Sequence, residues 1–451
     1  MKRVMMSIVA AAICGGAFAG EPVKYRGLFI NDEDWGLRPW ANRHFHEDGI
    51  GVSAYKKIFA LMKSDGLNLM WPAMHPGGYE FVSRPENMAL AAECGIRIGT
   101  SHCEPMLRNN IYIAKEDKKK YNWEKSPEWV RQHWQWSVDR YATNDVLWTV
   151  GMRGIHDGPM SGGTTQAEKI ALLEDVLKAQ FAMLPKDAPK LFIPYKEVLS
   201  LYNAGLKVPN EDGNTTIMWV NDNYGYIRRL GGPQTEDFGG GIYYHVSYHG
   251  WPHSYCHICT TPPALAWYEL VQKCANNNVR GVWMINAGDV FQAEILLYSI
   301  GKFAEDPDYW MTRPDPQSEV LGMWVKDKLG VGSEQLAVRI LAHLNEYYNL
   351  GFIRKPEHMK IGWTENLPET VRTSLLERYE AFLADDIAIE KELGDKADEY
   401  FRTAGYATQF LANGGMARLS CPAATVIYCE SDFVSTGFWR FCCGFAKGVI
   451  D

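Results

Sequence analysis

The chain lacks the charge that a nucleic-acid partner would need. Lys and Arg number 46 against 54 Asp and Glu, the net charge is -8, and no basic stripe stands out. It also lacks a transmembrane run: beyond the N-terminal stretch from Met5 to Ile13, no segment reads as a membrane span. No HExxH occurs, and Gly239-Gly240-Gly241 is too weak a glycine run to indicate phosphate or nucleotide binding. The ten cysteines form no disulfide framework, and a chain of this size needs none. Cys256 and Cys259 have zinc-like spacing close to His245, His249, His253 and His257, but no second spaced pair accompanies them. The expectation is therefore no metal and no cofactor, with a structural metal or a redox pair as minor alternatives. Cys421, Cys429, Cys442 and Cys443 fall in a small-residue segment without period, expected to be an irregular tail over 401–451.

The first 19 residues read as a signal peptide. Lys2 and Arg3 precede the apolar stretch, and Ala17-Phe18-Ala19 has the small-x-small form of a cleavage site. Cys14 raises a lipoprotein alternative, but Ala11-Ala12-Ile13 before it is a poor match. A periplasmic or secreted protein, soluble after cleavage, is expected, with a homo-oligomer left open. The rest is long enough for one large barrel and a smaller domain.

What is present is an order of eight short apolar runs. They are Tyr25 to Ile30, Gly66 to Met74, Ile96 to Ser101, Val146 to Gly154, Lys190 to Tyr195, Thr215 to Val220, Gly241 to Tyr248 and Gly281 to Asp289. Amphipathic stretches separate several of them. The pattern predicts a (β/α)8 barrel over 24–310, with chemistry at the C-terminal ends of its strands. Predicted helices include one capped by Ser53, one opened by Ser126 and Pro127, and Thr165 to Leu184. A further helix start is predicted at Tyr226-Ile227-Arg228-Arg229. From 311 to about 400 the helical period continues without strands, predicting a small helical domain. Its Tyr348 to Glu357 stretch reads as a loop.

Asp32, His102, Glu104, Arg153, Asp157, Glu197, Asp222, Asn223, Asn286 and Asp289 all fall at or just past strand ends. Glycoside hydrolysis needs an acid near the leaving oxygen and a base or nucleophile opposite, which carboxylates on neighbouring strands can supply. Glu197 is the leading candidate, with Lys196 beside it expected to hold down its pKa and burial to raise it. Asp157 lies in Arg153-Gly-Ile-His-Asp157-Gly. Asp32 stands in Asn31-Asp32-Glu33-Asp34, where at least one acid reads as an ordinary loop charge. Asn221, Asp222 and Asn223 suit the hydroxyls of a sugar ring, because an amide both donates and accepts. His102 and Glu104 are placed alike after the third run, His245 reads as a polar rim residue, and Arg108 could make a two-point contact with a carboxylated sugar. The many aromatics allow stacking on sugar faces, although core packing accounts for most of them.

These rim motifs resemble glycoside hydrolase family 115, the xylan alpha-1,2-glucuronidases. The similar stretches are FINDEDWGLRPWA, LMWPAM, GTSHCEPMLRN, TVGMRGIHDGPM, PYKEV, NDNYGYIRRL, YYHVSYHGWPHSY and RKPEH, in the family's order from about residue 25 to 360. The resemblance implies an inverting hydrolase that releases glucuronic or 4-O-methylglucuronic acid from glucuronoxylan or another branched plant glycan. It implies Asp32, Asp157 and Glu197 as the catalytic set. Within it we expect Glu197 as the acid and Asp157 as its partner, with Asp32 the alternative for positioning or activating water. It implies a substrate- or water-positioning element over Asn221 to Asn223. Three motif positions depart from the family: Asn221 stands where it usually has Asp, the loop around Asp157 is less acidic, and His253, Cys256 and His257 replace its Arg, Lys and Trp. Family members also usually carry a large domain before the barrel and others after the helical one, and neither is expected here. Those departures keep two alternatives open: a non-catalytic glycan-binding protein, and an exo-glycosidase acting on a different branch.

Overall fold

A computed structural model describes residues 21–420 apart from 35, 223, 233–237, 247–258, 291–292 and 360–361. The signal-peptide reading, the cysteine tail beyond 420 and most of the histidine-cysteine cluster lie outside the described residues.

Eight parallel strands close into a barrel in chain order, β1 to β8. They are β1 Tyr25–Ile30, β2 Leu69–Trp71, β3 Arg97–Gly99, β4 Val146–Val150, β5 Lys190–Phe192, β6 Thr215–Val220, β7 Gly239–His245 and β8 Val282–Gly288. β1 and β6 match the predicted runs. β2 is much shorter than its run because Pro72 follows it and has no N–H for the ladder. The helices of this unit are α1 Leu37–Phe45, α2 Val52–Ser64, α3 Pro85–Cys94, α4 Pro127–Tyr141, α5 Gln166–Met183 and α6 Glu197–Asn203. Tyr25, Phe29, Leu69, Trp71, Leu147, Met218, Tyr243 and Met284 belong to the core cluster drawn from these strands. Gly27 is needed there: a Cβ on it would come 2.4 Å from the Met284 methyl.

The closing pair shapes the rim. β1 runs in register with β8 from Tyr25↔Val282 to Phe29↔Asn286, then slips by one residue so that Ile30 faces Gly288. The Gly288 carbonyl accepts from both Asn31 and Asp32 N–H groups, at 3.1 and 2.9 Å. Such a slip re-aims the residues that follow it, here Asp32 and Glu33.

Local signals were partly right. Thr165 makes a full capping box with Glu168 at the start of α5, and Pro127 opens α4. The expected Ser53 cap is corrected: Gly51 is the N-cap of α2, and the Glu47 carboxylate accepts from the Ser53 N–H and hydroxyl at 3.2 and 2.6 Å. No helix forms at Tyr226. Asp222 instead accepts from the N–H groups of Tyr224 and Tyr226 at 2.9 and 3.0 Å and ties the chain into a turn.

A second unit comprises residues 246–268 and 289 onward. Its helices are α7 Pro263–Trp267, α8 Glu294–Glu305, α9 Pro307–Met311, α10 Pro316–Trp324, α11 Glu334–Ile353, α12 Glu369–Leu393, α13 Ala397–Tyr400 and α14 Tyr406–Ser420. Helix therefore continues past 400, where an irregular tail was expected, and α11 absorbs half of the predicted Tyr348 to Glu357 loop. The reason is burial. Asp386 is fully buried between α11, α12 and α14, where it accepts from Tyr400, Thr408 and Gln409 at 2.6, 2.7 and 2.8 Å and lies 3.1 Å from His343. No helix among the described residues is long and apolar enough to cross a membrane.

Candidate active site

The C-terminal ends of the strands carry two groups of titratable side chains. The first centres on Arg153, just past β4. Its side chain is 4% exposed, and its guanidinium donates from Nε to Glu197 Oε1 at 2.8 Å and from Nη2 to Oε2 at 2.6 Å. Nη1 donates to Asp157, and Lys196 Nζ pairs with the same carboxylate. One cation thus bridges the two leading carboxylates by a two-point fork on one side and a single bond on the other.

The backbone is built to hold this. Gly151 exchanges both backbone bonds with the Gln180 side chain, at 2.7 and 2.8 Å. Buried Asn110 pins the next turn, donating to the Gly154 carbonyl and accepting from the His156 N–H. His156 and Lys196, the residues before Asp157 and Glu197, both have left-handed backbones, at φ 53° and 52°. Non-glycine residues in this region persist only where their surroundings over-determine them. The expectation that Lys196 mainly tunes Glu197 is corrected: its backbone turns the ammonium to Asp157.

Burial alone would raise the Asp157 carboxyl. Hydrogen bonds from His102 and Lys196, with the Lys196 charge, outweigh it and hold the group well below the usual carboxylate range. Burial holds the His102 ring below its ordinary value against the pull of Asp157, whose Oδ1 lies 3.5 Å from His102 Nε2.

The second group follows β1 and β2. Asp32 is 6% exposed and Glu33 fully buried. The His75 N–H donates to Glu33 Oε1 at 2.6 Å, while His75 Nδ1 lies 3.5 Å from Glu33 Oε2 and 3.9 Å from Asp32 Oδ1. A Cβ on Gly78 would come 2.9 Å from Glu33 Oε1, so the carboxyl occupies that glycine's open face. Burial, with smaller pushes from Asp34 and Asp32, raises Glu33 to about 7 against the backbone N–H groups that lower it. Glu104 is also buried. Desolvation raises it to about 8 against its Ser101 bonds.

That shift has a testable consequence for stability. A carboxyl raised from 4.5 to about 8 holds its proton longer folded than unfolded, so its contribution is greatest below pH 4.5 and is lost as pH rises towards 8. Glu104→Gln keeps an acceptor for Ser101 but has no proton to lose. Relative to wild type, its thermal midpoint should therefore gain a few °C between pH 5 and pH 8. A difference that does not change with pH would rule out Glu104 as a buried titrating group.

Between the groups lie aromatic rings. Tyr195, Tyr243 and His245 pack near His102, with centroid separations of 4.4 to 6.4 Å. Tyr243 is bonded by the Asn286 amide. Asn221 spends its amide on His245, accepting from the backbone N–H at 2.8 Å and lying 2.8 Å from Nδ1. Asp222 is held in its own turn with Arg228. Arg108 does not join the group: it faces Glu80 at 3.4 Å and stacks on Trp136 at 4.3 Å. Asn223 lies outside the described residues. Sequence reasoning missed Glu33, His75 and Cys103. A pocket of about 200 Å³ opens beside Glu197, lined by Met152, Met160, Leu173 and Leu201 and by the polar Gln166 and Lys169 among others.

Among the described residues, two sets bring three metal-type ligand atoms within 4.8 Å: His102, Cys103, Asp157, and Glu33, Asp34, His75. In the first, Asp157 already has two cationic partners. In the second, Arg38 holds Asp34 at 2.6 Å. Neither is assigned to an ion.

A closed parallel barrel with paired carboxylates at the C-terminal mouth has the layout of a glycoside hydrolase. The profile of glycosyl hydrolase family 115 matches residues 19–358, and the chain belongs to that family. Among solved structures it is similar to one described as a novel family GH115 4-O-methyl-alpha-glucuronidase with specificity for decorated arabinogalactans. The two share 32% identity at a TM-score of 0.78, over 89% of this chain and 55% of that one. This chain thus spans about half the length of that relative. A search of curated proteins found no match.

Proposed function

We propose that this protein hydrolyses α-linked glucuronosyl or 4-O-methylglucuronosyl branches on a plant glycan, with inversion and no covalent sugar intermediate. The observation that carries this reading is the Arg153 bridge, which brings Asp157 and Glu197 together at the mouth. Asp157, Glu197 and Asp32 are the proposed catalytic carboxylates. A guanidinium stands between Asp157 and Glu197, so the attacking water has no place directly between these two. The Arg153-bound carboxylates are better suited to acting as ionised groups, with Asp32 working from the β1 side. The Met- and Leu-lined pocket beside Glu197 offers an apolar surface to the glycan chain or to a methoxy group. Export through the N-terminal signal would place the protein where such polymers are met.

The branch-bearing polymer is either a glucuronoxylan, as the sequence resemblance implies, or a decorated arabinogalactan, as named for the solved relative. The test is incubation with both polymers, scoring released uronic acid and polymer binding on the same sample. Release from one polymer and not the other fixes the substrate class. Binding with no release would support the second reading, a non-catalytic glycan-binding protein. Asn221 favours that second reading, since its amide is spent on His245 rather than offered to a ligand.

A further inference from the structure

We propose that Glu33 and His75 share one proton at the barrel mouth, and that this pair supplies the proton which Asp32 delivers to the leaving sugar oxygen. The inference deepens the proposed hydrolysis and rests on it for its catalytic half. The structural half stands alone.

Two buried polar atoms stand unsatisfied beside each other at the end of β1 and β2. Glu33 is fully buried, and its Oε2 has no hydrogen-bond partner; His75 Nδ1 is likewise buried and without one. An unmade bond at two buried polar atoms is costly, and here they face each other at 3.5 Å. One proton between them removes both deficits. Glu33 cannot turn away, because its other oxygen is fixed by the His75 N–H and lies against Gly78.

The surroundings favour a proton there. Asp32 and Asp34 press on the pair from the same loop, with Arg38 engaged by Asp34. Tyr55 faces Glu33 from α2. Tyr112 donates its hydroxyl to the His75 carbonyl at 2.9 Å, and Glu80 and Glu104 lie behind it. The His156 ring stacks on His75 at 6.1 Å. Three carboxyls on successive residues thus meet one imidazole and one committed arginine. Burial also places the Glu33 titration at about 7, inside the working range of a proton carrier.

The same His75 Nδ1 lies 3.9 Å from Asp32 Oδ1, so it can serve either carboxylate in turn. In the reaction, Asp32 gives a proton to the leaving oxygen as the bond from C1 to that oxygen breaks. Water forms the new bond to C1, and its proton passes to an Arg153-bound carboxylate. The Glu33–His75 proton then restores Asp32, and exchange with solvent resets both sides. Asp32 is the catalytic residue here; Glu33 and His75 act through it.

The test begins without substrate. Histidine ring nitrogens are followed by NMR in the full chain from pH 5 to 9, with His75 assigned by its loss in His75→Gln. In Glu33→Gln the His75 Nδ1 resonance should move, because the carboxylate oxygen 3.5 Å away that shares its proton is gone. A second observation covers a Glu33→Gln chain that fails to fold: with glutamate carboxyls labelled, one midpoint near neutrality should move upward in His75→Gln. An unmoved His75 Nδ1 resonance in Glu33→Gln together with an unmoved glutamate midpoint in His75→Gln overturns the pair, whatever the protein does to glycans. One equivalent of tightly bound divalent metal, lost in Glu33→Gln, would also overturn it, because a metal ion and not a proton would then join the two groups. Where uronic acid release is observed, the alkaline limb of the activity profile should move to lower pH in Glu33→Gln. An unchanged limb beside a shifted His75 Nδ1 resonance would overturn the delivery to Asp32 and leave the pair standing.

Discussion

Glu197→Gln should reduce release of the uronosyl branch by about 100-fold or more while the barrel stays folded. The amide nearly keeps the shape of the carboxylate, but its NH2 group would face the Arg153 fork, where both Glu197 oxygens now accept at 2.8 and 2.6 Å. The leaving group then separates the possible roles. A general acid matters less when the departing oxygen needs little protonation, so loss of an acid shrinks on an activated aryl uronoside. Loss of an ionised base or of an electrostatic partner does not. Both Glu197 oxygens are already engaged by the Arg153 fork, so the loss should be similar on both substrates. This differs from the acid role expected from the sequence. A loss confined to the natural branch would restore that role. Near-normal turnover by Glu197→Gln on every substrate would remove Glu197 from the chemistry.

The elements were more legible than the site. β1 and β6 were readable to the residue because turn or polar residues flank an apolar run. The short β2 and β5 were overestimated, since apolar residues continue beyond the last ladder bond into rim loops, and β3 because its run took in Ile96 and the polar Thr100 and Ser101. Positions at strand ends were legible, and Arg153, Asp157, Glu197 and His102 do come together. Partner choice was not. Arg108 turns to Glu80 and Trp136, and Lys196 turns to Asp157, because loop backbone and distant neighbours decide where a long side chain ends. Glu33 was hidden for another reason. In a run of Asn, Asp, Glu and Asp it reads as solvated charge, and its burial arises from the register slip at the end of β1 and from the open face of Gly78. The available signal was the strand end itself, which had already pointed to Asp32.

Removing the cation that joins the two carboxylates should have the widest effect. Arg153→Met keeps a long apolar stem but leaves Asp157 with only Lys196 as a cationic partner, and Glu197 without its cationic partner. Breaking a buried ion pair costs about 3 to 5 kcal/mol. The carboxylates here are 38% and 31% exposed, so solvent recovers part of that, and a loss of about 1 to 3 kcal/mol is expected. Turnover should fall about 1000-fold, because the charge that orders both carboxylates is lost at once. The pH dependence gives the sign. His102 and Lys196 hold Asp157 low, so its contribution to stability is present above the ordinary carboxylate range and is lost only as pH falls below it. Both remain in Arg153→Met, so the acid limb of activity should keep its position while turnover and stability fall. Arg153→Lys keeps the charge but not the fork, so it should recover most of the stability and only part of the turnover. Thermal melts and activity profiles from pH 4 to 8 on the three proteins check this. If Arg153→Met melts like wild type and keeps its turnover, the guanidinium is not what orders Asp157 and Glu197.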